Sequence, residues 1–191
     1  MPIVFSEDEL LYHVNTHLMY EVKWMIWSAA QLPGSEFGVT VALADSAAVH
    51  ARNLLEFVNP SSRSGAFHIE AFAGGRTTKD WKEWEDFLNN RFTHMGSRES
   101  RRVGWPAGLT NDRSDRLLAM AGAVLDALSY AGQNLETPRL KFAYDELLRR
   151  GRLYVDDPSP ENHDYLHQLF DASREDDTYS GPKRMGTRDK S

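Results

Sequence analysis

The chain has 191 residues, a formal net charge of −6 and no cysteine. Without cysteine there is no disulfide framework, no thiolate zinc site and no cysteine nucleophile. The acidic balance argues against a general nucleic-acid coat, which would carry a basic face. Hydrophobic residues make up 41% and aromatics 11%, enough apolar surface for one sizeable core at this length. The opening MPIVFSEDELLYH has no basic stretch leading into a long apolar run. No segment reaches the roughly 18 apolar residues of a membrane span. A cytoplasmic protein with no membrane association is therefore expected.

Ser6 and Glu9 stand at capping-box spacing, which predicts a helix start. Leu11, Val14, Leu18, Val22, Met25 and Ala29 then recur at helical spacing and form one stripe on a wheel of about 100° per residue. Pro33-Gly34 ends that helix. A second helix is predicted from Gly38 to Val58, with Leu43, Ala47, His50, Leu54 and Phe57 on its inner face. The loop that follows, SSRSGAFHIEAFAGGRTT, is too long for a simple bundle turn. Its middle, Phe67 to Phe72, reads as a short extended piece or a helical turn, and Gly74-Gly75 as a turn signal and no more.

A third helix starts near Asp80, with Trp81, Trp84, Leu88, Phe92 and Met95 on its core side, and fades near Gly96. GWPAGLTND is a loop. A fourth helix is predicted over 112–133, its stripe formed by Leu117, Met120, Ala121, Val124, Leu128 and Ala131. Beyond Thr137-Pro138 the pattern gives a shorter helix over 139–150 and one more short turn around Tyr165, Leu166, Leu169 and Phe170. The expectation is all-α: an up-and-down bundle of four long helices with one or two short C-terminal helices. One domain would span residues 1–173, and residues 174–191 would form a disordered charged tail.

Three groups of residues carry candidate chemistry. Arg91, His94 and Arg98 share one flank of the third helix. Guanidinium forks bind phosphate oxygens, and an imidazole near its reference pKa moves a proton. Asn89 and Asn90 would position a substrate, and Arg101 and Arg102 extend the positive charge. The bland alternative is a set of basic residues complementing a helix C-terminus. His50, with Asn53 one turn on, falls in an apolar stripe and needs a hydrogen-bond partner there, as a structural polar contact. His13 and His17 are one turn apart. On the wheel His13 lies opposite the core stripe and His17 on its flank, so no metal site and no cofactor are expected from them. The tryptophans Trp81 and Trp84 read as core, and Trp24, Trp27 and Trp105 complete the set. No P-loop, dinucleotide fingerprint, nucleophile elbow or EF-hand loop is present.

Two stretches together, VHARNLLEFV and LNNRFTHMGSRES, resemble bacterial helical proteins related to the HEPN superfamily. The resemblance covers residues 40–135. It implies a helical bundle, often a homodimer, and membership of a defence or toxin-type system in which many proteins are metal-independent RNases. Their hallmark is an Arg followed by a His several residues later on one helix. Here Arg91 stands only three positions before His94, shorter than the hallmark. The implied function is a non-catalytic or latent interaction or nucleic-acid-binding module. Its partner would be RNA, another protein or a second copy of the chain. The alternative is a metal-independent RNase in which His94 is the acid or base, Arg91 and Arg98 stabilise the phosphorane-like charge, and a 2′-hydroxyl attacks the adjacent phosphate. A third reading is a metal-dependent bundle hydrolase using His13, His17 and His50.

Overall fold

The computed structural model describes residues 5–31, 37–59, 67–78, 84, 88 and 113–157. Among them no strand occurs, and the protein is all-α. Trp84 and Leu88 are helical, and Leu88 is buried. Trp81, Phe92, Met95, Trp105, the short turn at 165–170 and the charged tail lie outside the described residues.

The first helix opens as the sequence predicts. Ser6 Oγ accepts from the Glu9 backbone N–H, and the Glu9 carboxylate accepts from the Ser6 N–H at 2.8 Å. The Ser6 N–H and the Ser6 hydroxyl both donate to the Glu9 carboxylate and lower its pKa from the ordinary value. The helix runs as α1 (Glu7–Tyr12), a π-helical stretch (His13–Leu18) and α2 (Met19–Ala30). The Met19 N–H reaches Val14 O, five residues back, the bond that defines a π turn. All six residues of the expected stripe, from Leu11 to Ala29, are buried.

Helix α3 (Phe37–Val58) packs against α2. Ala47, Ala48 and Ala51 are fully buried on it, and so is Leu54. Small residues let the two backbones approach closely. Ser28 and Ser46 meet across this interface at 2.9 Å, so the buried Ser28 hydroxyl finds its partner in the half-buried Ser46. Helix α4 (Arg113–Gly132) lies against both α2 and α3, and α5 (Pro138–Asp156) against α4 and the whole of the first helix. All six stripe residues of α4 are buried.

Helix α5 is longer than the periodicity suggests, continuing to Asp156 rather than ending at Arg150. Gly151 is a point of close packing within it, where an added Cβ would lie 3.1 Å from Leu125 Cδ2 and 3.3 Å from Ile26 Cδ1. Tyr144 ties α5 to α4. It is fully buried, and its hydroxyl donates to Leu128 O at 2.9 Å. Tyr144→Phe is expected to cost about 1 kcal/mol, the net worth of one buried hydrogen bond, read as a lower urea midpoint with unchanged m. A midpoint equal to wild type would mean the hydroxyl contributes nothing.

The segment 67–78 is neither free loop nor strand. Ile69–Ala71 makes one 3₁₀ turn, and Ile69 and Phe72 are buried. Its backbone is pinned at both sides of the bundle. The Arg76 N–H donates to Ala131 O at 2.9 Å, the Glu136 N–H donates to Ala73 O at 2.9 Å, and the Thr78 N–H donates to Val58 O at 3.1 Å. The stretch is a structural connection that closes over the ends of α3 and α4.

Candidate functional site

The π turn, the C-terminal half of α3 and the start of segment 67–78 enclose a cleft of about 350 Å³. Three imidazoles line it: His13 and His17 from the π turn and His68 from the segment. Glu21 and Glu56 add carboxylates and Asn53 an amide. The apolar part is formed by Leu18, Leu54, Phe57 and Phe67. A concave site that is largely apolar with a few convergent polar groups is the usual form of a small-molecule site.

One wall is a ring stack. Phe67 lies between Phe5, at a centroid distance of 4.1 Å, and His13, at 4.3 Å and 16° from parallel. His13 also approaches Phe57 at 5.9 Å and His17 at 5.1 Å. Burial, and secondly the neighbouring His17, push the His13 imidazole down to about 4. It is therefore neutral at pH 7, able to accept one hydrogen bond and donate another. The Nδ1 atoms of His13 and of His68 are both buried with no hydrogen-bond partner among the described residues. Buried polar atoms are normally paired, so two unpaired imidazole nitrogens in one cleft single it out.

The placement of His13 corrects the wheel. An ideal wheel puts it opposite the stripe, yet the side chain is half-buried. Two causes act together. The π turn takes more residues per revolution than an α turn, which shifts residues before it relative to α2. Segment 67–78 then folds back and lays Phe67 on that face. His17 remains exposed, at the rim.

His50 and Asn53 find the partner their positions require. His50 Nδ1 lies 2.7 Å from Glu21 Oε2, and Asn53 Nδ2 donates to the same oxygen at 3.1 Å. Tyr20 meets the His50 ring edge-on at 5.5 Å. The pair acts as a polar clasp between α2 and α3, next to the cleft. Trp24 and Trp27 pack edge to face on α2 at 5.1 Å.

Among the described residues, no three His, Asp or Glu side chains stand where they could jointly hold a metal ion. No helix among them is long and apolar enough to cross a membrane. The phosphate-type group of Asn89, Asn90, Arg91, His94, Arg98, Arg101 and Arg102 lies outside the described residues. The chain matches no family model, no curated protein and no solved structure.

Glu21, Glu56, Phe67 and His68 had no signal in the sequence. His50 and Glu21 are 29 residues apart, and Phe67 and His68 sit in a stretch without periodicity. One hint was available: an unpartnered His on an apolar stripe demands a polar residue on the facing helix.

Proposed function

We propose that the protein is a HEPN-like, non-catalytic binding module whose ligand site is the cleft lined by His13, His17 and His68. The observation that carries this reading is the pair of buried, unpartnered imidazole nitrogens set beside an aromatic wall in a cleft of about 350 Å³. The Glu21 clasp supports it as well. His50 and Asn53 are spent on holding α2 to α3, which is what a rigid scaffold for a binding site requires.

The cleft is poorly suited to a phosphodiester. Among the described residues its lining has two carboxylates, a His13 that carries no charge at pH 7 and no Lys or Arg, which does not favour a polyanion. The RNase alternative rests on Arg91, His94 and Arg98 alone. The metal-hydrolase alternative would need His50 beside His13 and His17, but His50 is held by Glu21.

Purified wild type and His94→Ala, incubated with a mixed RNA pool in EDTA, are expected to leave the RNA intact. EDTA-resistant cleavage by wild type that disappears in His94→Ala would overturn the non-catalytic reading and place a metal-independent RNase at His94. Light scattering on the same preparation tests the homodimer that the HEPN-like reading carries with it.

A further inference from the structure

The segment 67–78 is fastened to the bundle unevenly. From Ala73 to Thr78 its backbone is bonded to the ends of α3 and α4 and to Glu136, and Ile69 and Phe72 are buried. Among the described residues, no backbone hydrogen bond joins Phe67 or His68 to the bundle helices. This end is held by the ring stack instead, with Phe67 between Phe5 at 4.1 Å and His13 at 4.3 Å. His68 has extended backbone, φ −126° and ψ 159°, and Ile69 begins the anchored turn. The link between His68 and Ile69 is thus the natural hinge.

Closure of the stack is opposed. With it closed, Nδ1 of His13 and Nδ1 of His68 are buried without a hydrogen-bond partner among the described residues. An unpaired buried polar atom works against the closed form, because water pairs it once the contact opens. Ring packing is therefore set against two unmet imidazole nitrogens, and a change of charge at His13 can tip the balance.

The groups around His13 decide which way. His17, on the same π turn, lies 5.1 Å away between ring centres. Glu9, one turn earlier, is bonded back to Ser6. Glu21 of α2 is held by His50 and Asn53. Glu56 comes from α3 and His68 from the segment, whose Glu70 is exposed. Helix α5 packs beside Val14 and Asn15 of the turn with Glu146 and Arg150, which are paired with each other. An imidazole gains positive charge in acid, so acid adds like charges on both sides of the contact. A charged imidazole is itself attracted to a ring face, and the carboxylates favour it too. Burial prevails over both, since His13 is pushed down to about 4.

We infer that Phe67–His68 is an acid-released latch: a proton on His13 frees the pair from the π turn about the His68–Ile69 link, while Ile69–Thr78 stays on the bundle, and the wall of the cleft opens. The latch works with the cleft empty, so it does not depend on any ligand. Above about pH 6.5 neither form holds the proton. Between about pH 6.5 and 4 the open form takes it and the closed form does not, so opening grows as pH falls. Full exposure of the ring would raise the open fraction about 300-fold over this range, and partial exposure at least about tenfold.

The chain has no cysteine, so one introduced thiol reports alone. Leu54 is buried and lines the cleft, and Ala121 is buried on α4 away from it. The test is the rate at which dithiodipyridine, which reacts with thiols in acid as well as at neutral pH, labels full-length Leu54→Cys and Ala121→Cys, each with and without His13→Phe, from pH 7 to 4.5. Comparison at the same thiol cancels its own ionisation. Labelling of Leu54→Cys is expected to gain at least about tenfold more in acid with His13 present than with His13→Phe. Ala121→Cys should show no such difference. Circular dichroism establishes that each protein is folded, and Leu18→Cys, buried at the same cleft, replaces Leu54→Cys if that variant does not fold.

The same pH profile with and without His13 would overturn the latch. So would an equal His13-dependent gain at Ala121→Cys, which would assign the acid effect to unfolding of the whole bundle. Slower labelling of Leu54→Cys in acid with His13 present would show that a charged imidazole tightens the stack, and would overturn it as well. None of these outcomes involves a ligand, so each leaves the binding reading of the cleft to its own test.

Discussion

Replacing Gly74 with alanine is expected to destabilise the protein by about 3 kcal/mol or more, one of the largest effects of any single methyl group in this fold. Gly74 has a φ of 81°, a conformation that costs an L side chain energy. The space is also taken. A Cβ there would lie 1.8 Å from the carbonyl oxygen of Asn134 and 2.8 Å from its carbonyl carbon. Both are backbone atoms, so neither can swing aside. Gly75 is similarly placed, with a Cβ position 2.1 Å from Ile69 O and 2.9 Å from Phe72 O.

Any relief must come from moving segment 67–78 off the end of α4. That would break the Arg76 to Ala131 and Glu136 to Ala73 hydrogen bonds. Because Phe67 and His68 belong to the same segment, the cleft would lose one wall. Urea unfolding of Gly74→Ala should show a strongly lowered midpoint. Gly122→Ala is the control. Its Cβ would be 3.4 Å from Val155 Cγ1, ordinary contact, and alanine is the better helix former by up to about 1 kcal/mol. It should be neutral or slightly stabilising. A Gly74→Ala protein as stable as wild type would show that the segment is not pinned as described.

Acid should weaken the fold partly through His13. Its imidazole is pushed down to about 4 in the folded protein, against a reference near 6.5 when unfolded. Above about pH 6.5 neither state is protonated there and the group is neutral in its effect. Between about pH 6.5 and 4 the unfolded chain takes up a proton that the folded chain refuses, so stability falls as pH falls. The full shift would correspond to roughly 3 kcal/mol. The ring is only half-buried and solvent screens it, so about 2 kcal/mol is expected.

His13→Phe keeps a ring against Phe67 and removes the titration. Stability measured from pH 7 to pH 4 should fall about 2 kcal/mol less in this variant than in wild type. Other histidines and carboxylates titrate in both proteins, so only the difference between the two curves reports on His13. Parallel curves would show that the imidazole is not buried as placed.

Local chemistry was readable where one element decides it alone. The Ser6–Glu9 capping box needs only four consecutive residues, and it forms as the spacing predicts. The apolar stripes of the first helix and of α4 follow from helical period, and every residue in them is buried. The need of His50 for a partner was legible as well, since a polar group on an apolar stripe must be satisfied.

Readings failed where a second element intervened. The periodicity ends the last long helix at 150, yet α5 continues to Asp156, with Gly151 packed against Leu125 and Ile26. Gly74-Gly75 reads as a turn and Gly74 lies in one, but its close backbone approach to Asn134 has no signal in the sequence. The wheel sent His13 to solvent because it assumes unbroken α-helical turns and no covering chain.

The sequence by itself determined the all-α class, the helix starts and most of the buried faces, because caps and periodicity act within a few residues. Only the tertiary structure decided that Glu21 serves His50 and Asn53 and that Phe67 and His68 close a cleft over His13. It also decided that glycine is required where segment 67–78 meets α4. These depend on which residues distant in the chain come within a few ångströms of one another, and side-chain chemistry at one position does not specify its neighbour across the bundle.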